Sequence, residues 1–150
     1  MATSLSEVYD LFMQLVTDYR LLELFNTSEE DFETYLQAWL NFAIFDFNIC
    51  NQSLSYDENT KTFDVSLTME NKLILANLMM KYWMTKNVND ITQMNLHVLD
   101  RDFKTFSEAQ NLKEKVAQLN TVKETCSQML IDYGYRKTVN WDKWFTQNFG

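Results

Sequence analysis

Apolar residues recur along most of this chain at the three-to-four-residue spacing of helices. Leu5, Val8, Phe12, Leu15, Val16 and Tyr19 share one helical face. Ser4-Leu-Ser-Glu7 stands before them as a capping box, in which the Ser4 hydroxyl and the Glu7 carboxylate satisfy free N–H groups of the first turn. The run of leucines after Tyr19 loses the period, so residues 20–26 read as a packed connector. A second box, Thr27-Ser-Glu-Glu30, opens a helix whose stripe is Phe32, Leu36, Trp39, Leu40, Ala43, Ile44 and Phe47. Its acidic start (Glu29, Glu30, Asp31, Glu33) fits the positive end of the helix dipole and needs no metal.

From Asn48 to Leu67 the period falls to two. Leu54 and Tyr56 alternate with polar residues, then Phe63, Val65 and Leu67 do the same around the polar turn Asp57–Lys61. The pattern predicts a small β-hairpin near 52–67. A lone hairpin is marginal in water, so it must pack on the helices or join strands supplied by a neighbour. Thr68 caps a third helix, apolar around much of its girth and therefore central, running to about Met94. Asn95 to Asp102 reads as a connector that carries His97, the one histidine. A fourth helix is predicted from about Lys104 to Tyr133, about 45 Å long. Its seam of Leu112, Val116, Leu119, Lys123, Cys126, Leu130 and Tyr133 has heptad spacing, with a lysine that either sets register or marks a drift onto Val122 and Met129. Gly134 is the expected stop.

The fold class is thus mainly α: a bundle of about four helices with one small β-hairpin insertion, spanning residues 1–134. Residues 135–150 form an aromatic C-terminal docking arm. There Asn140 can cap a short helix that gathers Trp141, Trp144, Phe145 and Phe149 on one side. Four large aromatics at a chain end want cover, either on their own domain or on a neighbouring subunit.

Composition sharpens this picture. The chain has 150 residues, no proline and two glycines, which favours long helices over glycine-shaped loops. Residues 1–70 carry 13 acidic and 2 basic side chains, whereas residues 71–150 carry 8 acidic and 11 basic ones. Such a split can steer one subunit's acidic part toward another's basic part, or serve solubility alone. An acidic whole is a poor general binder of nucleic acid. Lys104, Lys113, Lys115 and Lys123 interleave with Glu108, Glu114 and Glu124 as a solvated helix face. No apolar run approaches the ~18 residues that span a bilayer. The N-terminus lacks the features of a signal peptide. Cys50 and Cys126 form no CxxC and read as reduced thiols of a protein made in the cytoplasm. A phosphate loop, a nucleophile elbow and metal-ligand spacing are all missing from the sequence, so the expectation is a protein without cofactor, metal or catalytic residues.

Glu29-Glu-Asp-Phe-Glu-Thr-Tyr-Leu36, Ile91-Thr-Gln-Met94, Asp102-Phe-Lys-Thr-Phe-Ser-Glu-Ala-Gln-Asn-Leu112 and Asp132-Tyr-Gly-Tyr135 resemble small proteins from the structural gene blocks of tailed bacteriophages. The likeness spans most of the chain and is closest to the head–tail neck group of connector, adaptor and head-completion proteins. It implies a helical virion protein that forms a ring of about twelve subunits through head-to-tail contacts. Such a ring joins the portal to the tail or stopper proteins, with DNA passing an acidic lumen without specific binding. The hairpin and the long fourth helix depart from the simplest adaptor pattern. The partner-binding residues expected on this reading are Trp141, Trp144, Phe145 and Phe149, with Tyr56, Phe63 and Val65 of the hairpin as secondary contacts. The alternative reading is a small acidic phage inhibitor that mimics DNA charge against a host nucleic-acid enzyme, motivated by the acidic first half.

Overall fold

A computed structural model describes residues 2–97, 105–138 and 147, with the backbone alone for Tyr19, 93–97, 105–110, 137 and 138. Among the described residues there are five helices and one two-stranded antiparallel hairpin. The elements are α1 (Leu5–Leu15), α2 (Tyr19–Thr27), α3 (Glu29–Asp46), β1 (Tyr56–Asp57), β2 (Thr62–Phe63), α4 (Met69–His97) and α5 (Thr105–Thr138). The mainly helical bundle with a small hairpin is therefore what the chain forms.

Helix α4 is central and packs against α1, α3 and α5. Its buried side chains Ile74, Leu75, Ala76, Leu78 and Met79 surround much of its circumference, as its sequence predicts. They meet Leu5, Val8 and Phe12 of α1, Leu36, Leu40 and Ala43 of α3, and Leu119, Cys126 and Tyr133 of α5 in one core. Each large apolar side chain buried there contributes roughly 1.5–3 kcal/mol.

Four local expectations change, and a fifth point, left open by the sequence, resolves to one of its two alternatives. Residues 20–26 are not a connector but most of α2, which begins because the Asp18 side chain accepts the Arg20 N–H at 2.8 Å. The cap of α3 is Ser28 rather than Thr27: Ser28 Oγ accepts from Asp31 N, while Thr27 Oγ1 donates to the Glu23 carbonyl inside α2. Asn95, Leu96 and His97 belong to α4, and the rest of the expected connector lies outside the described residues. Helix α5 passes through Gly134 to Thr138, so the boundary drawn there falls inside a helix. On α5 the seam drifts: Leu119, Cys126 and Tyr133 are buried, Val122 and Met129 pack against the core, and Lys123 is exposed.

The hairpin pairs Tyr56 with Phe63 and Asp57 with Thr62. Asp57 Oδ1 accepts from Asn59 N and Thr60 N across the turn, and Lys61 takes a positive φ of 55° in place of a glycine. The chain's own N-terminal segment covers one edge of the hairpin, where Ser4 makes an isolated bridge to Thr62. Phe63 N donates to the Thr3 carbonyl at 2.7 Å, Thr3 N to the Val65 carbonyl and Leu5 N to the Lys61 carbonyl. Thr3 Oγ1 accepts from Leu67 N at 2.8 Å. The period-two reading holds beyond the short strands, because Phe63 and Leu67 are buried and Leu54, Tyr56 and Val65 lie half-buried against the core.

Candidate functional site

Trp141, Trp144, Phe145 and Phe149 lie outside the described residues. The three hairpin positions turn inward. Phe63 is fully buried and stands edge-on to Tyr56, with ring centroids 6.0 Å apart. The Tyr56 hydroxyl donates to Asn41 Oδ1 at 2.5 Å and accepts from Gln37 Nε2 at 3.2 Å, both on α3. Val65 is packed against the core. These three side chains brace the hairpin against the helices, with Phe63 fully covered and Tyr56 and Val65 half-buried.

Among the described residues the most exposed phenylalanines are on α3. Phe42 is 52% exposed and Phe45 is 81% exposed, with exposed Ala38 on the same helix. At 100° per residue, Tyr35, Ala38, Phe42 and Phe45 fall along one stripe, on the flank of the buried face. The stripe is anchored from beneath by a row of rings. Tyr35 lies edge-on to Trp39 at 5.8 Å, Trp39 lies 6.1 Å from Phe42, and Phe42 stacks on Tyr82 of α4 at 5.3 Å. The Lys81 ammonium sits 4.7 Å above the Tyr82 ring and is bonded to Asp46. Burial raises the Tyr82 phenol above its ordinary range, and the nearby Lys81 charge offsets part of that rise. Trp39 Nε1 is buried with no hydrogen-bond partner among the described residues.

The signal for this surface was present in the sequence as a second set of three- and four-residue steps. It was hidden because Phe32, Leu36, Leu40 and Ala43 already make a complete inward stripe, so Phe42 and Phe45 are surplus to it.

Two concavities lie elsewhere. One of about 610 Å³ opens between the α1–α2 corner, α4 and α5, over Trp83, Met84 and Val88, with Asp18, Arg20 and Lys115 at its rim. The other, about 340 Å³, lies over Leu73, Ile74 and Met129 beside the Arg136–Glu70 ion pair. No three His, Cys, Asp or Glu side chains cluster as metal ligands among the described residues. Cys50 and Cys126 are free thiols; Cys126 is buried, its thiol donates to the Asn77 carbonyl at 3.5 Å, and burial pushes it above the usual thiol range. No helix among the described residues is long and apolar enough to cross a membrane.

The charge split is partly consumed within the chain. Lys72 pairs with Glu7, Lys81 with Asp46 and Arg136 with Glu70, each joining the basic second half to the acidic first half. No family model matches this chain, and no curated protein or solved structure does.

Proposed function

We propose that this chain is an assembly protein, a ring-forming adaptor of the phage neck that joins portal to tail. The observation that carries the reading is the exposed pair Phe42 and Phe45 on α3. A folded domain that leaves two neighbouring phenyl rings in water gains by covering them with another protein surface. The resemblance of residues 29–36, 91–94, 102–112 and 132–135 to neck proteins is what suggests the virion setting, and the aromatic residues 141–149 are proposed as a second set of anchors. The adaptor works by adhesion: it closes a ring of chains, presents a face to the portal and another to the tail, and makes or breaks no covalent bond.

The inhibitor reading is weaker. Charge mimicry needs free carboxylates on an open surface, whereas Glu7, Glu33, Asp46 and Glu70 are held by cations of the same chain.

The test is binding to the purified portal of the phage that encodes the chain. The native protein is expected to co-sediment with it at about one chain per portal subunit. The full chain carrying Trp141→Ser, Trp144→Ser, Phe145→Ser and Phe149→Ser is expected to stay in the supernatant. A native chain that stays there too overturns the neck reading.

A further inference from the structure

We infer that the niche of about 340 Å³ beside the Arg136–Glu70 ion pair seats the chain's own C-terminal segment, residues 139–150, with Trp141 as the side chain that enters it. This goes beyond the neck reading and does not rest on it, because the seat is filled in the free chain.

The niche has an apolar floor open to water. Leu73, Ile74 and Met129 form that floor between α4 and α5, and Leu73 is 37% exposed. Met69, one turn earlier on the same side of α4, is 58% exposed and extends the strip. Covering such a surface with an apolar group is favourable.

The point where the chain leaves the bundle names that group. Helix α5 is described as far as Thr138, two residues past Arg136. At 1.5 Å per residue, Arg136 and Met129 lie roughly 3 and 14 Å back along the helix from Thr138. Trp141 is three residues on, so an extended link carries it about 10 Å, and its ring spans the rest. Asn140, as a helix cap, takes extended backbone and turns the chain off the α5 axis just before Trp141. The larger cavity beside Lys115 is roughly 34 Å back, beyond the reach of Trp141 or Trp144 of the same chain. Gln147 is helical and exposed, so the segment keeps a polar side in water there.

The lining suits an indole. Met129 offers a polarisable sulfur to an aromatic ring. The planar Arg136 guanidinium stacks on such a ring. The Glu70 carboxylate, bonded to Arg136, has several lone pairs and can also accept an indole N–H. A phenyl ring lacks that N–H, which sets Trp141 above Phe145 and Phe149. Trp144 closes a longer loop than Trp141 and pays more entropy for it. The niche is at the small end of the ~300–1,000 Å³ range of ligand pockets, so it takes one bicyclic ring and leaves the other aromatics outside.

The test is fluorine NMR of the full chain labelled with 5-fluorotryptophan. Single Trp→Phe variants assign the lines of Trp39, Trp83, Trp141 and Trp144. The solvent-isotope shift of the Trp141 line is expected to be as small as that of buried Trp39. Leu73→Lys, which puts a charge on the floor, is expected to raise it to the value of free fluorotryptophan. Arg136→Ser, at the exposed rim, is expected to move the Trp141 line as well, and it decides the matter if Leu73→Lys fails to fold. Unmoved Trp39 and Trp83 lines report an intact bundle. A Trp141 line that is solvent-exposed in the native chain overturns the inference. So does a protected line that neither variant moves, or a protected Trp144 beside an exposed Trp141. Protection is expected to be equal at ~50 µM and ~1 mM. Protection confined to the higher concentration means that the niche takes the segment of another copy, and overturns the seat within one chain. Portal binding plays no part in these readouts, so the seat and the neck reading can fail independently.

Discussion

Tyr133 and Asn51, 82 positions apart, are joined twice: the Tyr133 hydroxyl accepts the Asn51 backbone N–H at 2.9 Å and donates to Asn51 Oδ1. The fully buried Tyr133 ring stands edge-on to Phe47 at 5.0 Å. Around this point Asn71 Nδ2 donates to Asn51 Oδ1 and to Gln52 Oε1, and Gln52 Oε1 also accepts from Thr68 N. One polar cluster thus ties the end of α5 and the start of α4 to the chain segment that leaves α3.

Tyr133→Phe keeps the ring and removes the hydroxyl, leaving the Asn51 N–H to find another acceptor. We expect a loss of about 1–3 kcal/mol, because a half-buried donor is orphaned while packing is retained. Urea unfolding should show a lower midpoint with an unchanged slope. An unaltered midpoint would mean that water takes the place of the hydroxyl without cost.

Phe63 and Phe45 are both phenylalanines, one fully buried and the other 81% exposed. Phe63→Ala should cost about 3–5 kcal/mol, since its ring is fully buried between hairpin and helices. Phe45→Ala should shift the stability of the monomer by no more than about 0.5 kcal/mol, because its ring is already in water. Equal losses in thermal unfolding of the two variants would contradict this division.

Alkali should destabilise the protein by favouring the chain whose buried phenols and thiol are free to ionise. Burial raises the Tyr9 phenol and the Cys126 thiol above their ordinary values of 10.0 and 9.0, and Tyr82 and Tyr133 shift the same way. Below both ordinary values the folded and unfolded chains hold the same protons, so these groups impose no pH dependence there. As pH rises past about 9, the unfolded chain releases protons that the folded chain keeps, and stability falls. The urea midpoint should be lower at about pH 10.5 than at about pH 8. Tyr9→Phe together with Cys126→Ala should flatten part of that slope; a slope unchanged by both substitutions would refute the assignment.

The parts legible from the sequence are those where one local rule acts alone. The Ser4–Glu7 box is there, with Glu7 Oε2 accepting from Ser4 N at 3.0 Å. The inward stripe of α3 and the alternation from Leu54 to Leu67 are there too. Helix α2 was illegible because its cap, Asp18, precedes a run of leucines with no clean period. The outer stripe of α3 was illegible for the opposite reason, since two apolar stripes on one helix blur into a single apolar girth. The alternation at Tyr56, Phe63 and Val65 called for a hairpin that packs on the helices or joins strands of a neighbour, and the structure shows the first. Nothing in the pattern of residues 1–5 announced that Thr3 and Leu5 would hydrogen-bond to the hairpin.

Gly134 shows how a sound rule can point the wrong way. Glycine after a long helical run normally takes the left-handed conformation that ends the helix. Here α5 continues to Thr138, and Gly134 is an interior position. A methyl group added there would lie 3.6 Å from Ile49 Cδ1, an ordinary contact. Two consequences follow for Gly134→Ala. Inside a helix, alanine is favoured over glycine by about 0.5–1 kcal/mol, and the new methyl gains a neighbour without a clash. The variant should therefore unfold at a higher urea concentration than the native chain. Had Gly134 been the left-handed terminator, the same change would force an alanine into that region and cost about 1–2 kcal/mol. The sign of the shift alone decides whether α5 runs through residue 134 or stops there.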